Sequence, residues 1–325
     1  MEDIEALLQN GNNVNISKRQ LSSLPAAFAK LGPQFSKLDL STNALVDLSS
    51  LTSCSALHWL DAHGNLLTSL EGISSCSALL VLNACHNHIQ DVAALQSLTN
   101  LRSLVLSDNQ IKDIKHLPMA PKLNNLVLSD NSIKKLPKCM CKLSSLQRLS
   151  LSRNKLSALP EFPFLGNLEQ LRLNGNRLDD VPSSVTLCRR LRLLDLGNNN
   201  IDDLAAALSL LRQISLRNLS LRGNPCAKSG SYGADVANAL PRLEVFDDKV
   251  RSHLVRDAFD LPIDAPIAFY RLLPAPLTQI ANQNKTAIPE QTFRFKLRRN
   301  HEFSCQEGAT RKYVVTSLHA LRAAQ

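Results

Sequence analysis

The sequence has few aromatic residues and few glycines. Phe, Trp and Tyr together make up 4% of its 325 residues, and there are only 11 Gly and 1 Trp. Because large rings are scarce, the core cannot be built mainly from aromatic side chains. Leucine takes their place with 61 residues, so the core is predicted to be aliphatic and repetitive.

Long apolar runs and familiar catalytic signatures are also missing. No apolar stretch approaches the roughly 18 residues that a membrane-spanning helix needs. The chain contains no G-x-x-x-x-G-K-S/T phosphate loop, no G-x-S-x-G elbow and no H-E-x-x-H motif. The sequence therefore predicts a protein that does not span a membrane, is not an enzyme, and has no cofactor and no small-molecule substrate.

The amino terminus does not have the pattern of a secretory signal. Glu2, Asp3 and Glu5 stand where a signal carries positive charge before a long apolar stretch. The eight cysteines are scattered, and without an export signal a reducing compartment is expected to keep them as thiols. We therefore expect an intracellular protein, cytoplasmic, with the nucleus or a cilium left open.

What the sequence does contain is an internal repeat. The pattern L-x-L-x-x-N-x-L-x-x-L recurs eight times, with Ala, Ile or Val in place of some leucines, and successive asparagines are 22 or 23 residues apart. These asparagines are Asn43, Asn65, Asn87, Asn109, Asn131, Asn154, Asn176 and Asn199. A degenerate first unit has Arg19 in the asparagine position and a last unit has Asn224, which makes about ten repeats.

This pattern resembles the leucine-rich-repeat family over residues 14–248. The resemblance implies an α/β fold: a right-handed solenoid, or horseshoe, with a parallel sheet on its concave side and short helices or irregular turns on its convex side. Alternating leucines such as Leu104 and Leu106 are expected to point inward from a short strand. The asparagine amide can satisfy backbone groups where the chain turns away. Stacked repeats bury their leucines against each other, so the two ends need caps.

Both ends have candidate caps. Ile4, Leu7 and Leu8 share one face of a short predicted helix, which suggests an N-terminal cap at residues 1–13 ahead of the repeats at 14–224. Residues 225–248 are similar to the C-terminal cap motif of intracellular leucine-rich proteins. The positions that match are Asn224, Pro225, Tyr232, Val236, Leu240, Pro241, Leu243 and Asp247. This motif occurs in the phosphatase-1 regulator family, the axonemal dynein light-chain subfamily and a spliceosomal leucine-rich protein. The repeats mix two styles and leave the subfamily open.

The repeat frame also predicts which side chains leave the core on the concave face. The positions that flank the inward leucines project outward, and they place the single tryptophan, Trp59, on this surface. Trp and Arg dominate the binding energy of many interfaces. We therefore predict a non-catalytic scaffold or adaptor that binds a protein partner there, as a subunit of a larger complex. The predicted contact residues are Trp59, His63, Val81, Val105, Val127, Arg148, Arg172 and Arg222.

Other candidate sites have simpler explanations. Cys54 and Cys76 occupy the same position in consecutive repeats, which favours small buried fillers over reactive thiols. His63, Cys85 and His86 could form a metal or enzyme site, although a solvated polar patch fits them better. The C-x-C at residues 139–141 has no second ligand pair at the spacing of a zinc site, so no metal is predicted.

The composition changes after residue 248. Residues 249–325 contain 12 Lys and Arg against 6 Asp and Glu, and QTFRFKLRR alternates apolar and basic residues like an amphipathic strand. We expect an extended basic C-terminal arm that is partly ordered or depends on a partner. An acidic protein, a filament or RNA could bind it. An alternative function is therefore a ribonucleoprotein component that uses this arm. The predicted arm contacts are Arg294, Lys296, Arg298 and Arg299.

Overall fold

In a computed structural model of the protein, the described residues are 11–25, 27–117, 120–137, 140, 142–160 and 165–250, together with two short strands near the carboxyl terminus. The chain divides into two compact units, residues 1–254 and residues 255–325. The first unit contains the repeats. The second contains strands β13 (Phe295–Leu297) and β14 (Phe303–Cys305), which pair antiparallel. The strand expected from the alternating apolar pattern is thus found at Phe295–Leu297.

The repeats form one sheet whose strands follow chain order. The strands are β1 (Asn13–Asn15), β2 (Lys37–Asp39), β3 (Trp59–Asp61), β4 (Val81–Asn83), β5 (Ser103–Val105), β6 (Asn125–Val127), β7 (Arg148–Ser150), β8 (Gln170–Arg172), β9 (Leu193–Asp195), β10 (Asn218–Ser220), β11 (Val245–Phe246) and β12 (Lys249–Val250). Strands β1 to β11 are parallel neighbours, and β12 pairs antiparallel with β11. Parallel strands in chain order require a right-handed connection after each one. The predicted right-handed solenoid is confirmed, with strands β1 to β10 supplied by the ten repeats.

The stacked leucines hold the repeats together. The central residue of each strand from β2 to β10 is a leucine that pairs in register with the leucine of the next strand, and all nine are at most 2% exposed. These residues are Leu38, Leu60, Leu82, Leu104, Leu126, Leu149, Leu171, Leu194 and Leu219. Removing such side chains from water is the main stabilising contribution of each interface between repeats.

The repeated asparagines form a ladder of hydrogen bonds. Nδ2 of Asn65 donates to the carbonyl oxygens of Leu40 and Ala62, both at 3.1 Å, and Oδ1 of Asn65 accepts the backbone N–H of Leu45 at 3.0 Å. Each bond to Leu40 or Leu45 crosses to the preceding repeat. Because buried backbone groups without partners are costly, the asparagine satisfies the chain where it leaves the strand, as the sequence predicted.

Short helices and turns carry the chain from each strand to the next, as expected for the convex side. The helical segments are α1 (Ala27–Leu31), η1 (Gly32–Gln34), η2 (Ser49–Ser53), η3 (Ala93–Ser97), η4 (Ser183–Leu187), α2 (Leu204–Leu211), η5 (Pro225–Lys228) and α3 (Tyr232–Ala239). Their buried faces supply the outer half of the core, for example Leu51 and Leu95 at 0% exposed. In the part of the chain that the structure describes, no helix is long and apolar enough to cross a membrane.

The last repeat is covered by α3 and β11. Val236 and Leu243 are 1% and 4% exposed and belong to the same apolar core as the repeats. The rings of Tyr232 and Phe246 pack with their centroids 5.1 Å apart. These contacts join α3 and β11 to the apolar core of the repeats. The helix predicted from Ile4, Leu7 and Leu8 lies outside the described residues.

Candidate functional site

The strand register places the predicted outward positions side by side. Trp59 pairs in register with Lys37 on one side and with Val81 on the other. The next outward position lies two residues further along each strand, and it places Asp39, Asp61 and Asn83 in a second row. The outward positions predicted from the sequence therefore line up from strand to strand, and they form the concave face of the solenoid.

Trp59 lies in a polar part of this face. It is half-buried, and Nζ of Lys37 lies 4.4 Å from the centroid of the indole ring. A cation over a tryptophan face is attracted by the quadrupole of the ring. This contact fixes one side of the indole and keeps a positive charge next to it.

The apolar centre that the sequence predicted is only partly exposed. Val81 and Val105 are 3% and 5% exposed, so the expectation that they form an open contact surface is wrong. Strands of a sheet lie about 4.8 Å apart. Val81 therefore lies close beside Trp59, and Val105 close beside Asn83, and in each pair the valine is the shorter side chain. Val127 remains half-buried. Of the predicted apolar contact residues, Trp59 and Val127 are therefore the ones that remain accessible.

A hydrogen-bonded group of polar residues follows Trp59. Asp61 is 3% exposed, and its Oδ1 lies 2.7 Å from Nδ1 of His63 and accepts from Nδ2 of Asn83 at 3.1 Å. The hydrogen bond to Asp61 raises the pKa of His63, while burial opposes that rise. The side-chain oxygen of Asp39 accepts the N–H of Ser41 at 3.0 Å in the same i to i+2 pattern. The contact residues predicted from the sequence do not include these two aspartates. The signal was present in the spacing D-x-S and D-x-H, which is typical of an Asx turn.

The two histidines of the enzyme alternative pair with different carboxylates. His63 pairs with Asp61 in its own repeat, whereas Nδ1 of His86 lies 2.7 Å from Oδ2 of Asp108 in the next one. Burial and the nearby carboxylate of Asp61 raise the pKa of the Cys85 thiol to about 12. A thiol with that pKa is protonated at neutral pH and a poor nucleophile. Within the described residues, no group of three or more His, Cys, Asp or Glu side chains could hold a metal ion.

The other cysteines in the repeats are structural. Cys54 and Cys76 are each 0% exposed, which confirms that they are small fillers of the core, and Cys188, also 0% exposed, has the same role. Burial raises the pKa values of all three thiols to about 11, 12 and 11 respectively. The C-x-C cysteines at 139 and 141 lie outside the described residues.

Two of the arginines on or near the concave face form ion pairs with carboxylates. Arg222 forms an ion pair of 2.5 Å with Asp248, and Arg153 is paired with Asp130. Arg148 and Arg172 are half-buried in the rows of β7 and β8. Of the arginines predicted to contact a partner, Arg148 and Arg172 therefore lie on the sheet, whereas Arg222 is committed to a carboxylate.

The predicted contacts of the C-terminal arm are mostly outside the described residues. Lys296 lies in β13 and pairs with Ser304 of β14. Arg294, Arg298 and Arg299 are not among the described residues.

Family models match the repeats. A leucine rich repeat model matches residues 121–178, and a model of two leucine rich repeats matches residues 77–119 and 166–209. No curated protein matches the sequence. Residues 77–119 and 121–209 therefore carry the repeats of leucine-rich-repeat proteins. Proteins of this kind generally mediate protein–protein interactions, and the fold is typically a non-enzymatic interaction scaffold.

Solved structures have the same fold. An internalin, inlF, from Listeria monocytogenes superposes with a TM-score of 0.54 at 18% identity, over 74% of this chain and 87% of that one. The functional domain of InlJ from Listeria monocytogenes, which includes a cysteine ladder, gives 0.59 at 20% identity, over 74% of this chain and 54% of that one. The leucine-rich-repeat ectodomain of the plant receptor kinase GASSHO1/SCHENGEN3 from Arabidopsis thaliana, in complex with CASPARIAN STRIP INTEGRITY FACTOR 2, gives 0.58 at 25% identity, over 75% and 31%. The chain spans about half of the second structure and about a third of the third.

Proposed function

We propose that this protein is a non-catalytic intracellular scaffold or adaptor that binds a partner protein on its concave face, as a subunit of a larger complex. The observation that carries the proposal is the position of Trp59. The only tryptophan of the chain is half-buried on the sheet face rather than in the core. Tryptophan is one of the residue types that are enriched in binding hot spots.

The surroundings of Trp59 fit a protein partner. Lys37 lies against the ring, and the buried carboxylate of Asp61 and the imidazole of His63 lie in the next rows. An apolar anchor with polar groups at its rim is the usual anatomy of an interface. Val127 extends the apolar contact, and Arg148 and Arg172 face an acidic part of the partner.

We also propose the following division of the chain. Residues 1–13 are an N-terminal cap, 14–224 the repeats, 225–248 a C-terminal cap and 249–325 a basic extension. The burial of Val236 and Leu243 against the last repeat supports the C-terminal cap. The closer kinship to the phosphatase-regulator, dynein light-chain or spliceosomal classes rests on the matching residues of that segment.

The proposal can be tested by affinity purification with a matched pair of variants. Trp59→Ala removes the anchor, and Leu187→Ala removes an apolar side chain in η4 that is more accessible than Trp59, at 46% exposed. We expect Trp59→Ala to weaken the complex by about 2 kcal/mol or more, the scale of a hot spot. Leu187→Ala should leave it unchanged.

The deletion of residues 249–325 provides the opposing test. If Trp59→Ala left every captured partner in place while this deletion released them, binding would reside in the C-terminal extension. The concave face would then be only a support, and the proposal would be wrong. Thermal unfolding of each variant shows whether the repeats remain folded.

A further inference from the structure

A second surface lies away from the concave face, near the C-terminal end of the first unit. A cleft of about 320 Å³ opens between the segment that follows α2 and the segment that follows α3. One wall includes Arg212, Ile214 and Ser215, and the other includes Leu240, Pro241 and Arg242. Both walls precede a strand, β10 or β11, so the cleft lies at the edge where the strands begin.

The floor of the cleft is apolar and reaches solvent. Ile214 and Leu240 are 8% and 7% exposed, whereas an interior leucine such as Leu104 is 0% exposed. These two side chains therefore present apolar surface to the cleft. A concave apolar surface with a few polar groups at its rim is the common form of a ligand site.

The rim of the cleft is positively charged. Arg212 and Arg242 are both exposed, and neither guanidinium forms an ion pair with a described residue. A third guanidinium, that of Arg192, donates from Nη1 to the carbonyl oxygen of Ser215 at 2.9 Å. The nearby Glu244 is already paired with Arg217 at 3.2 Å. The two guanidinium groups of the lining therefore have no carboxylate partner among the described residues, and Arg192 adds a third positive charge beside the wall that contains Ser215.

We propose that this cleft is a docking site for an extended acidic segment of a partner protein. An aliphatic side chain of the segment packs on Ile214 and Leu240, and Asp or Glu residues on either side bind Arg212 and Arg242. The planar fork of arginine matches a carboxylate with two parallel hydrogen bonds. The site lies on an edge of the solenoid, so one chain could hold this segment and a concave-face partner together.

The lining of the cleft favours a peptide over a nucleic acid. Sequence-tolerant binding of single strands relies on aromatic side chains on which bases stack. None of the described residues that line the cleft is aromatic. Its chemistry is instead that of aliphatic and guanidinium groups, which suits a short run of leucine and glutamate.

A labelled probe peptide tests the proposal on the full-length chain. The probe carries one Leu between two pairs of Glu, and fluorescence anisotropy gives its Kd. We expect the double variant Arg212→Gln/Arg242→Gln to raise the Kd at least about tenfold, because two charge-assisted contacts are lost. The matched control Lys134→Gln/Lys135→Gln removes the same charge from two exposed lysines in another repeat, and its Kd should stay within about twofold of the wild-type value.

Two further measurements keep the result specific. A probe with Ser in place of Leu should bind at least about fivefold more weakly, because it cannot use the apolar floor. Arg212→Lys/Arg242→Lys keeps both charges and should still weaken binding about threefold, since lysine lacks the fork. Equal effects of the glutamine and control variants would overturn the proposal. Tighter binding of an oligothymidine probe that depends on the same arginines would overturn it in favour of a nucleic-acid site.

Discussion

The hydroxyl group of Tyr232 donates a hydrogen bond of 2.8 Å to Oδ2 of Asp247, whose Oδ1 accepts the backbone N–H groups of Leu221 and Arg222 at 2.8 and 3.0 Å. Asp247 thereby takes over the accepting role that an asparagine has in the preceding repeats. A carboxylate cannot donate, and Tyr232 supplies the donor that its second oxygen needs. The end of the ladder therefore depends on a pair of residues 15 positions apart.

Replacing Tyr232 with Phe should destabilise the protein and change its response to alkaline pH. A hydrogen bond to a charged group contributes about 1.5 kcal/mol or more. Burial, followed by the hydrogen bond to Asp247, raises the pKa of Tyr232 above its ordinary value near 10. As the pH rises, the Tyr232 hydroxyl therefore loses its proton in the unfolded chain before it does so in the folded protein. The stabilising contribution of Tyr232 is complete below pH 10 and declines above it.

Urea unfolding at pH 8 and pH 10.5 measures both effects. The wild type should lose more stability between these two pH values than Tyr232→Phe does. Equal losses would show that the Tyr232 hydroxyl does not remain protonated in the folded state.

The asparagine ladder predicts a large effect from a small change. Nδ2 of Asn109 donates to the carbonyl oxygens of Ala84 and Leu106 at 3.0 and 3.1 Å, in a buried position. Asn109→Asp keeps the shape, removes the donors and places oxygen against oxygen, so we expect a loss of about 3 kcal/mol or more. Asn100→Asp is the surface control, because Asn100 donates only to the exposed carbonyl of Ser77. Chemical denaturation gives both values, and similar losses at the two sites would contradict a structural role of the ladder.

The sequence predicted the positions of side chains better than their exposure. The alternation around Leu104 assigns each residue to a face, because a strand has a period of two. Whether an outward residue is accessible depends on neighbours from other repeats. Val81 is covered beside Trp59, and no property of its own repeat reveals this.

Side-chain hydrogen bonds and ion pairs were predictable only where the repeat itself encodes them. The bonds of Asn109 recur with the period, and Asp61 and His63 are two residues apart. The ion pair between Arg222 and Asp248 joins the last repeat to a segment that breaks the pattern. The cleft with Arg212 and Arg242 likewise requires two segments that only the fold brings together.

The residue before each ladder asparagine has a left-handed backbone, and this predicts a stabilising substitution. These residues are Thr42, Gly64, His86, Asp108, Asp130, Arg153, Gly175, Asn198 and Gly223. Thr42 is the strained case, because it is β-branched and has φ of 56°. Thr42→Gly should stabilise the protein by about 0.5–1 kcal/mol, the relief of strain minus the entropy that glycine adds to the unfolded chain. Thr68→Gly, at an exposed position without positive φ, should not stabilise it. Thermal unfolding of the two variants decides the point.

At Gly72, replacing the glycine should destabilise the protein. Its φ is 96°, and a Cβ added there would lie 2.1 Å from the carbonyl oxygen of Leu48 in the preceding repeat. Gly72→Ala must therefore move backbone against backbone, and we expect a loss of at least about 2 kcal/mol. Gly230→Ala is the control, because a Cβ at Gly230 has no neighbour within 4 Å. If both alanine variants unfolded at the wild-type urea concentration, the close approach of the two repeats would be refuted.

His63 should make stability depend on pH near neutrality. The hydrogen bond to Asp61 raises the pKa of His63 above 6.5, and burial opposes this rise. Two charged groups nearby have smaller effects: Asp39 raises the pKa of His63 and Lys18 lowers it. Because the folded pKa is the higher one, the stabilisation by the charged pair is complete below pH 6.5 and is lost as pH rises through the folded pKa. We therefore expect the difference in unfolding free energy between wild type and His63→Gln to shrink from pH 5.5 to pH 8.5. An NMR titration of the His63 ring locates the folded pKa directly, and a pKa at or below 6.5 would show that Asp61 does not hold the imidazolium.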